Sequence, residues 1–162
     1  MSKNDILNEI EKNVREYMEN KHYSCAMASL TVLQEQFGIG DHTTIKATSF
    51  LPGIASRGET CGAVLGSLMA IGMLCATDDM DNMEERRKIQ DKTADKFCEW
   101  FVNEFNGLTC RDVQTKLCGR SFNMRDEKER EKFRESAAGT GCRSATAKAA
   151  RIAAEIIMEN KK

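Results

Sequence analysis

The chain has 162 residues, a formal net charge of −1, 30% charged residues and 41% hydrophobic ones. That length suits one domain, residues 1–162, able to bury a real core. The near-zero charge gives no electrostatic reason to expect nucleic acid or an anionic membrane surface as partner. One proline and two tyrosines, against an abundance of Ala, Met, Glu, Lys and Arg, argue against an all-β chain and for an all-α fold. The expected form is a compact bundle of five to seven helices around a buried central helix at 61–76.

Residues 2–20 place Ile6, Ile10, Val14, Tyr17 and Met18 at helical spacing, with Leu7 alongside. The same stretch is amphipathic, mixed in charge and without an apolar run, so it does not read as a signal peptide. A second helix is predicted over 23–37, where Cys25, Ala28 and Val32 adjoin a stripe of Ala26, Leu30, Leu33 and Phe37; Gly38 to Asp41 end it. Residues 42–60 read mostly as loop, with room for a short helix from Thr44 to Phe50 and a turn at Leu51-Pro52-Gly53.

The segment 61–76 is apolar on every face, so other helices must wrap it. Gly62, Ala63, Gly66, Ser67 and Gly72 would let those neighbours come close. It is shorter than the roughly 20 residues that cross a bilayer, so no membrane insertion is expected and the chain reads as cytoplasmic. In a reducing compartment its seven cysteines are mostly not structural disulfides. Their number is odd and no C-x-x-C occurs, which removes a thioredoxin-type motif and a zinc knuckle.

After Thr77-Asp78-Asp79 a long helix is expected over about 81–106. Its first half is charged; its second puts Ala94, Phe97, Cys98, Phe101, Val102 and Phe105 on one face. The stripe at 97–105 fits core packing and a homodimer contact equally well. Asn106-Gly107 stops that helix. A short helix 110–118 follows, ended by Gly119. The run RDEKEREKFRES at 125–136 is a charged helix or surface segment without an assigned role. Gly139 and Gly141 break the chain before a last helix, 142–160, with Cys142, Ala145, Ala149, Ile152, Ala153, Ile156 and Ile157 in one stripe.

The chemistry is expected at cysteine. Cys61, Cys110 and Cys142 each follow a Thr or Gly, open a predicted helix and begin an apolar stripe; Cys25 does the same near the front of its helix. Four such residues can meet at one end of the core. Free amides and the positive end of a helix dipole would favour a thiolate there, most of all at Cys61. Thiolates attack disulfides or bind soft metals and iron–sulfur clusters. Cys75 lies roughly 20 Å along the helix axis from Cys61, and Cys98 sits among aromatics, so both read as buried small hydrophobes. Cys118, at a helix end, has no assigned role. His22, three residues before Cys25, reads as a surface residue. Ser24 and Ser67 have no base beside them, and the glycines at 58, 62 and 66 lack the lysine and strand of a phosphate loop. Arg57 would steady a thiolate at Cys61 or pair with Glu59 in solvent.

The string Gly58-Glu59-Thr60-Cys61-Gly62-Ala63-Val64-Leu65-Gly66, continued to Gly72, resembles the core of the C_GCAxxG_C_C family of redox-active proteins. Ser24-Cys25-Ala26 upstream, Cys110-Arg111-Asp112 downstream and Cys142 extend the likeness over about residues 20–157. The resemblance implies that Cys25, Cys61, Cys110 and Cys142 are the four signature cysteines and that the function is redox; it implies no substrate. Leu51-Pro52 stands where the family often has further glycine, and the segment from Cys110 to Gly119 is longer than its usual C-x-x-L-L-G.

Two chemical forms stay open. Cys61 and Cys110 cycle between dithiol and disulfide, with Cys61 attacking. Or Cys25, Cys61, Cys110 and Cys142 hold an iron–sulfur cluster or another soft metal, whose charge would offset the repulsion among four thiolates. In either form the electron partner is unnamed. The alternative from another class is a non-catalytic helical binding or scaffold module with buried structural cysteines.

Overall fold

The structure is a computed structural model that describes residues 1–161. Among these residues it is all-α, with ten helices and no strand: α1 Lys3–Asn20, α2 Cys25–Phe37, α3 His42–Ala47, α4 Gly53–Ser56, α5 Gly62–Cys75, α6 Met83–Lys92, α7 Ala94–Phe105, α8 Cys110–Cys118, α9 Glu127–Glu135 and α10 Ala137–Asn160. Two of the ten, α3 and the single left-handed turn α4, have six or fewer residues, and the helix expected over 81–106 is split in two, which accounts for a number above the expected five to seven. No helix is long and apolar enough to cross a membrane.

Three helices form the centre. α5 packs between α2 and α10, and α1 lies along α10 with Leu7, Ile10 and Val14 buried. The close fit of α5 on α2 depends on Gly62 and Gly66. A Cβ on Gly62 would overlap the Cys25 sulfur, and one on Gly66 would overlap Ser29 Oγ and Ala26 O. Gly72 does not share this role; it is exposed, and a Cβ there would have nothing within 4 Å. Phe97 and Phe101 of α7 are fully buried, each stabilising the fold by about 1.5–3 kcal/mol relative to an exposed ring.

The caps that start and stop these helices are local. Ser24 accepts from Met27 N and opens α2, and Gly38, with φ +65°, closes it. Thr109 and Asp112 exchange bonds in a capping box at the start of α8, which satisfies two otherwise unpaired amides.

Two expectations are corrected. The helix expected over 81–106 is two, α6 and α7, parted at Thr93 (φ −126°, ψ −78°), whose hydroxyl donates to Ile89 O. The break falls where the charged half meets the apolar one. The last helix begins at Ala137, not at residue 142, and runs through Gly139 and Gly141. These glycines serve close approach: a Cβ would stand 2.8 Å from Phe133 O at Gly139 and 2.9 Å from a Leu117 methyl at Gly141. Cys142 is therefore inside the helix instead of at its start. The segment 125–136 does form a helix, α9. Gly53–Ser56 is a left-handed turn, with φ of +59°, +51°, +53° and +63° in succession.

Only Gly53 in that turn lacks a Cβ, and the left-handed conformation costs an L-residue roughly 1–2 kcal/mol. Exposed Ala55 is a clean place to relieve it. Ala55→Gly is expected to raise stability by up to about 1 kcal/mol, net of the glycine's unfolded-state entropy. Thermal melting checks this; a fall in Tm would contradict the strain.

Candidate functional site

One tertiary contact brings two helix starts to the same point. Thr60 and Thr109 form an isolated antiparallel bridge. The Cys61 amide donates to Leu108 O at 2.8 Å and the Cys110 amide to Glu59 O at 2.8 Å. Cys61, the N-cap of α5, and Cys110, the first residue of α8, are thus held side by side. Cys25 reaches the same place because Gly62 has no side chain to keep it away. Cys142 comes from the second turn of α10.

The four cysteines line one cavity of about 260 Å³, shared with Met18, Pro52, Val113, Met124 and Phe133. All seven cysteines are free. Cys75 and Cys98 do not line this cavity, and burial raises both thiols. Cys118 also stands outside the lining; its thiol donates to Gln114 O at 3.3 Å. A larger open groove, about 490 Å³ between α5, α6 and α7, is lined by Arg86 and Arg87 and holds no cysteine.

The electrostatics separate the two central thiols, and they reverse one expectation. Cys61, only 7% exposed, is pushed well up. Its hydrogen bond to Cys110 is the largest cause, followed by that to Cys25 and by burial. Cys110 is the thiol that is lowered. The hydrogen bond from Cys61 does most of this; burial opposes it; the Gly62 amide, the Arg111 charge and the Gly53 amide add to it. The Gly62 amide lies in the first turn of α5, so the field expected to act on Cys61 falls on its neighbour. Cys61 stands at the N-cap of α5, but its side chain makes no bond to the free amides there. Cys142 is pushed up to about 12, first by burial and then by Cys25, Cys110 and Cys118.

Arg111 is a site residue that the sequence pattern does not single out. Its guanidinium donates to Glu59 Oε1 at 2.7 Å and to Arg57 O at 3.1 Å, and its side chain lies over Gly58, where φ is +75°. It ties the start of α8 to the loop before Cys61. Arg57, with a thiolate contact and an exposed loop pair as its two alternatives, is exposed and donates to Ala55 O at 3.3 Å. Glu59 therefore pairs across 52 positions, not with its neighbour. Such a pair leaves no local signal; the one hint is an Arg directly after a candidate cysteine. His22 is exposed, with φ +56°, and is not part of the cavity. Among the described residues no group of three or more Cys, His, Asp or Glu is arranged to hold a metal ion.

A protein-family model described as "Putative redox-active protein (C_GCAxxG_C_C)" matches residues 23–156. The chain belongs to the C_GCAxxG_C_C family. An uncharacterized protein of Archaeoglobus fulgidus is 35% identical over 88 residues, which is 52% of this chain and 56% of that relative. The match thus spans little more than half the length of the curated relative. No solved structure matches. In this C_GCAxxG_C_C protein the motif's parts have separate tasks: Cys61 brings a thiol to the cavity from the N-cap position of α5, Gly62 and Gly66 admit α2, and Gly58 admits Arg111.

The raised thiols give a pH dependence. Where the folded pKa exceeds the unfolded one, the unfolded chain releases its proton first and stability falls with pH. For Cys142 that window runs from the ordinary thiol value of 9.0 to about 12. Stability is expected to be level below the window and to decline across it. Cys142→Ala should flatten the decline in urea-melt midpoints measured across it; an unchanged slope would contradict the assignment.

Proposed function

We propose that the protein is a thiol–disulfide redox protein whose working pair is Cys61 and Cys110. The observation that carries this reading is geometric: the Thr60–Thr109 bridge and the paired amide bonds beside it set Cys61 and Cys110 together on one cavity, where their thiols are shifted in opposite directions. Cys110 is the attacking thiolate and Cys61 the resolving thiol. Cys110 attacks one sulfur of a substrate disulfide and forms a mixed disulfide, and the first substrate thiolate leaves. Cys61 gives up its proton, attacks the Cys110 sulfur and expels the second. The protein pair ends oxidised, by two electrons, and the substrate ends as two thiols. Cys25, hydrogen-bonded to Cys61, is placed to exchange with the resulting disulfide.

A second reading keeps the four cysteines as ligands. The donor set, four sulfurs around one apolar cavity, suits an iron–sulfur cluster or a soft cation. Its spacing is not that of ligands around a single ion, so no step is assigned to such a group. An anaerobic preparation with iron and sulfide separates the readings. The dithiol reading expects a colourless protein that loses two free thiols on mild oxidation, a change kept in Cys98→Ser and lost in Cys110→Ser. A brown protein with near-stoichiometric iron would favour the cluster instead. Neither change would leave the helical binding module.

A further inference from the structure

Resting on the dithiol reading, we propose that the substrate is a small, uncharged, apolar disulfide, selected by the wall that Met124 and Phe133 build over the thiols. Among the described residues, no Asp, Glu, Lys, Arg or His lines the cavity. Its polar members are neutral, such as Ser24, Gln114 and Thr146. A charged group placed there would lose its water and find no counter-charge, which is strongly unfavourable. Arg111, whose charge reaches Cys110, does not line the cavity and is already paired with Glu59 and bonded to Arg57 O on the loop outside. A volume of about 260 Å³ lies just under the usual range for small-molecule pockets, too little for a folded partner's loop.

The wall comes from a segment with no other evident purpose. α9 is strongly charged and has no buried residue. Yet Phe133, on α9, and Met124, just before it, turn toward the sulfurs. The segment is fixed at its base. Phe122 is buried, its amide donates to Gln114 Oε1 at 2.9 Å, and its ring meets Phe133 edge-on at 5.8 Å between centroids. Arg130 donates to Met124 O at 3.1 Å, which holds the methionine's backbone in place. The charged face keeps the segment soluble, while its apolar residues close the thiol pocket. The reaction is the one above: two substrate thiols form, one protein disulfide forms, and no further reductant or oxidant is required.

The test uses the reduced full-length protein and two aromatic disulfides with comparably good leaving groups: neutral dithiodipyridine and the dianionic dithiobis-nitrobenzoate. Modification of Cys110 is followed by mass spectrometry of its peptide after acid quenching. The ratio of the two rates is divided by the same ratio for free N-acetylcysteine, which corrects for the reagents' intrinsic reactivity. The proposal expects Cys110 to favour the neutral reagent about tenfold or more strongly than N-acetylcysteine does. Met124→Lys should reduce that preference by speeding the dianion. A normalised ratio near one, or below it, would overturn the proposal while leaving the dithiol intact. If Cys110 reacts with neither reagent, both the proposal and the dithiol reading fail.

Discussion

A Cys61→Ala protein is expected to lose the two-thiol oxidation completely and to carry a slower Cys110. The hydrogen bond from the Cys61 thiol is the largest cause that lowers Cys110. Alanine removes that donor and leaves burial, which acts the other way. A higher Cys110 pKa leaves less thiolate near neutral pH, so alkylation of Cys110 by iodoacetamide should slow. Its pH midpoint should move upward. Cys61→Ser divides the two effects: the hydroxyl still donates, so Cys110 stays reactive, but no disulfide forms. Helix content should change little in either variant, because the N-cap side chain of α5 makes no capping bond. Unchanged Cys110 kinetics in Cys61→Ala would show that the two thiols do not communicate.

The second large effect is steric, and it sorts the glycines of α5 by what stands next to them. In a helix interior, glycine to alanine gains about 1 kcal/mol of propensity. That gain should appear undiminished for Gly72→Ala, where the space is open. At Gly66 the added methyl meets Ala26 O and Ser29 Oγ. Overpacking there costs about 1–3 kcal/mol, enough to reverse the sign. Gly62→Ala drives its methyl into the Cys25 sulfur and the Ala26 amide, so it should also separate Cys25 from Cys61. With a change of about 1 kcal/mol moving Tm by roughly 2–4 °C in a chain of this size, thermal melts distinguish the variants. A higher Tm for Gly66→Ala than for Gly72→Ala would contradict the packing of α5 on α2.

Much of the architecture is written in local chemistry. The starts of α2 and α8 are marked by Ser24 and Thr109, their ends by Gly38 and Gly119, and the helix periods of α1 and α7 are plain. The gathering of Cys25, Cys61, Cys110 and Cys142 around one cavity follows the same logic: each begins or joins an apolar stripe, and stripes face the core. The hidden features depend on partners distant in sequence or on ambiguous residues. Glycine marks both chain breaks and close approaches, so Gly139 and Gly141 read as a break although they lie inside α10. The left-handed turn has one glycine for four left-handed residues and gives no signal. Arg111 acts across the fold on Glu59. The lowered thiol is Cys110 and not Cys61 because Cys61 is hydrogen-bonded to Cys110 and to Cys25, while the Gly62 amide at the start of α5 acts on Cys110, and no local pattern shows those neighbours.

Disulfide mapping of the mildly oxidised protein tests the central claim most directly. After oxidation, blocking of the remaining thiols and proteolysis, the account predicts a peptide pair joined through Cys61 and Cys110, absent from the reduced sample and regained after re-oxidation. Reversible oxidation with Cys61 and Cys110 both still free, the bond falling among Cys75, Cys98 and Cys118, would contradict it.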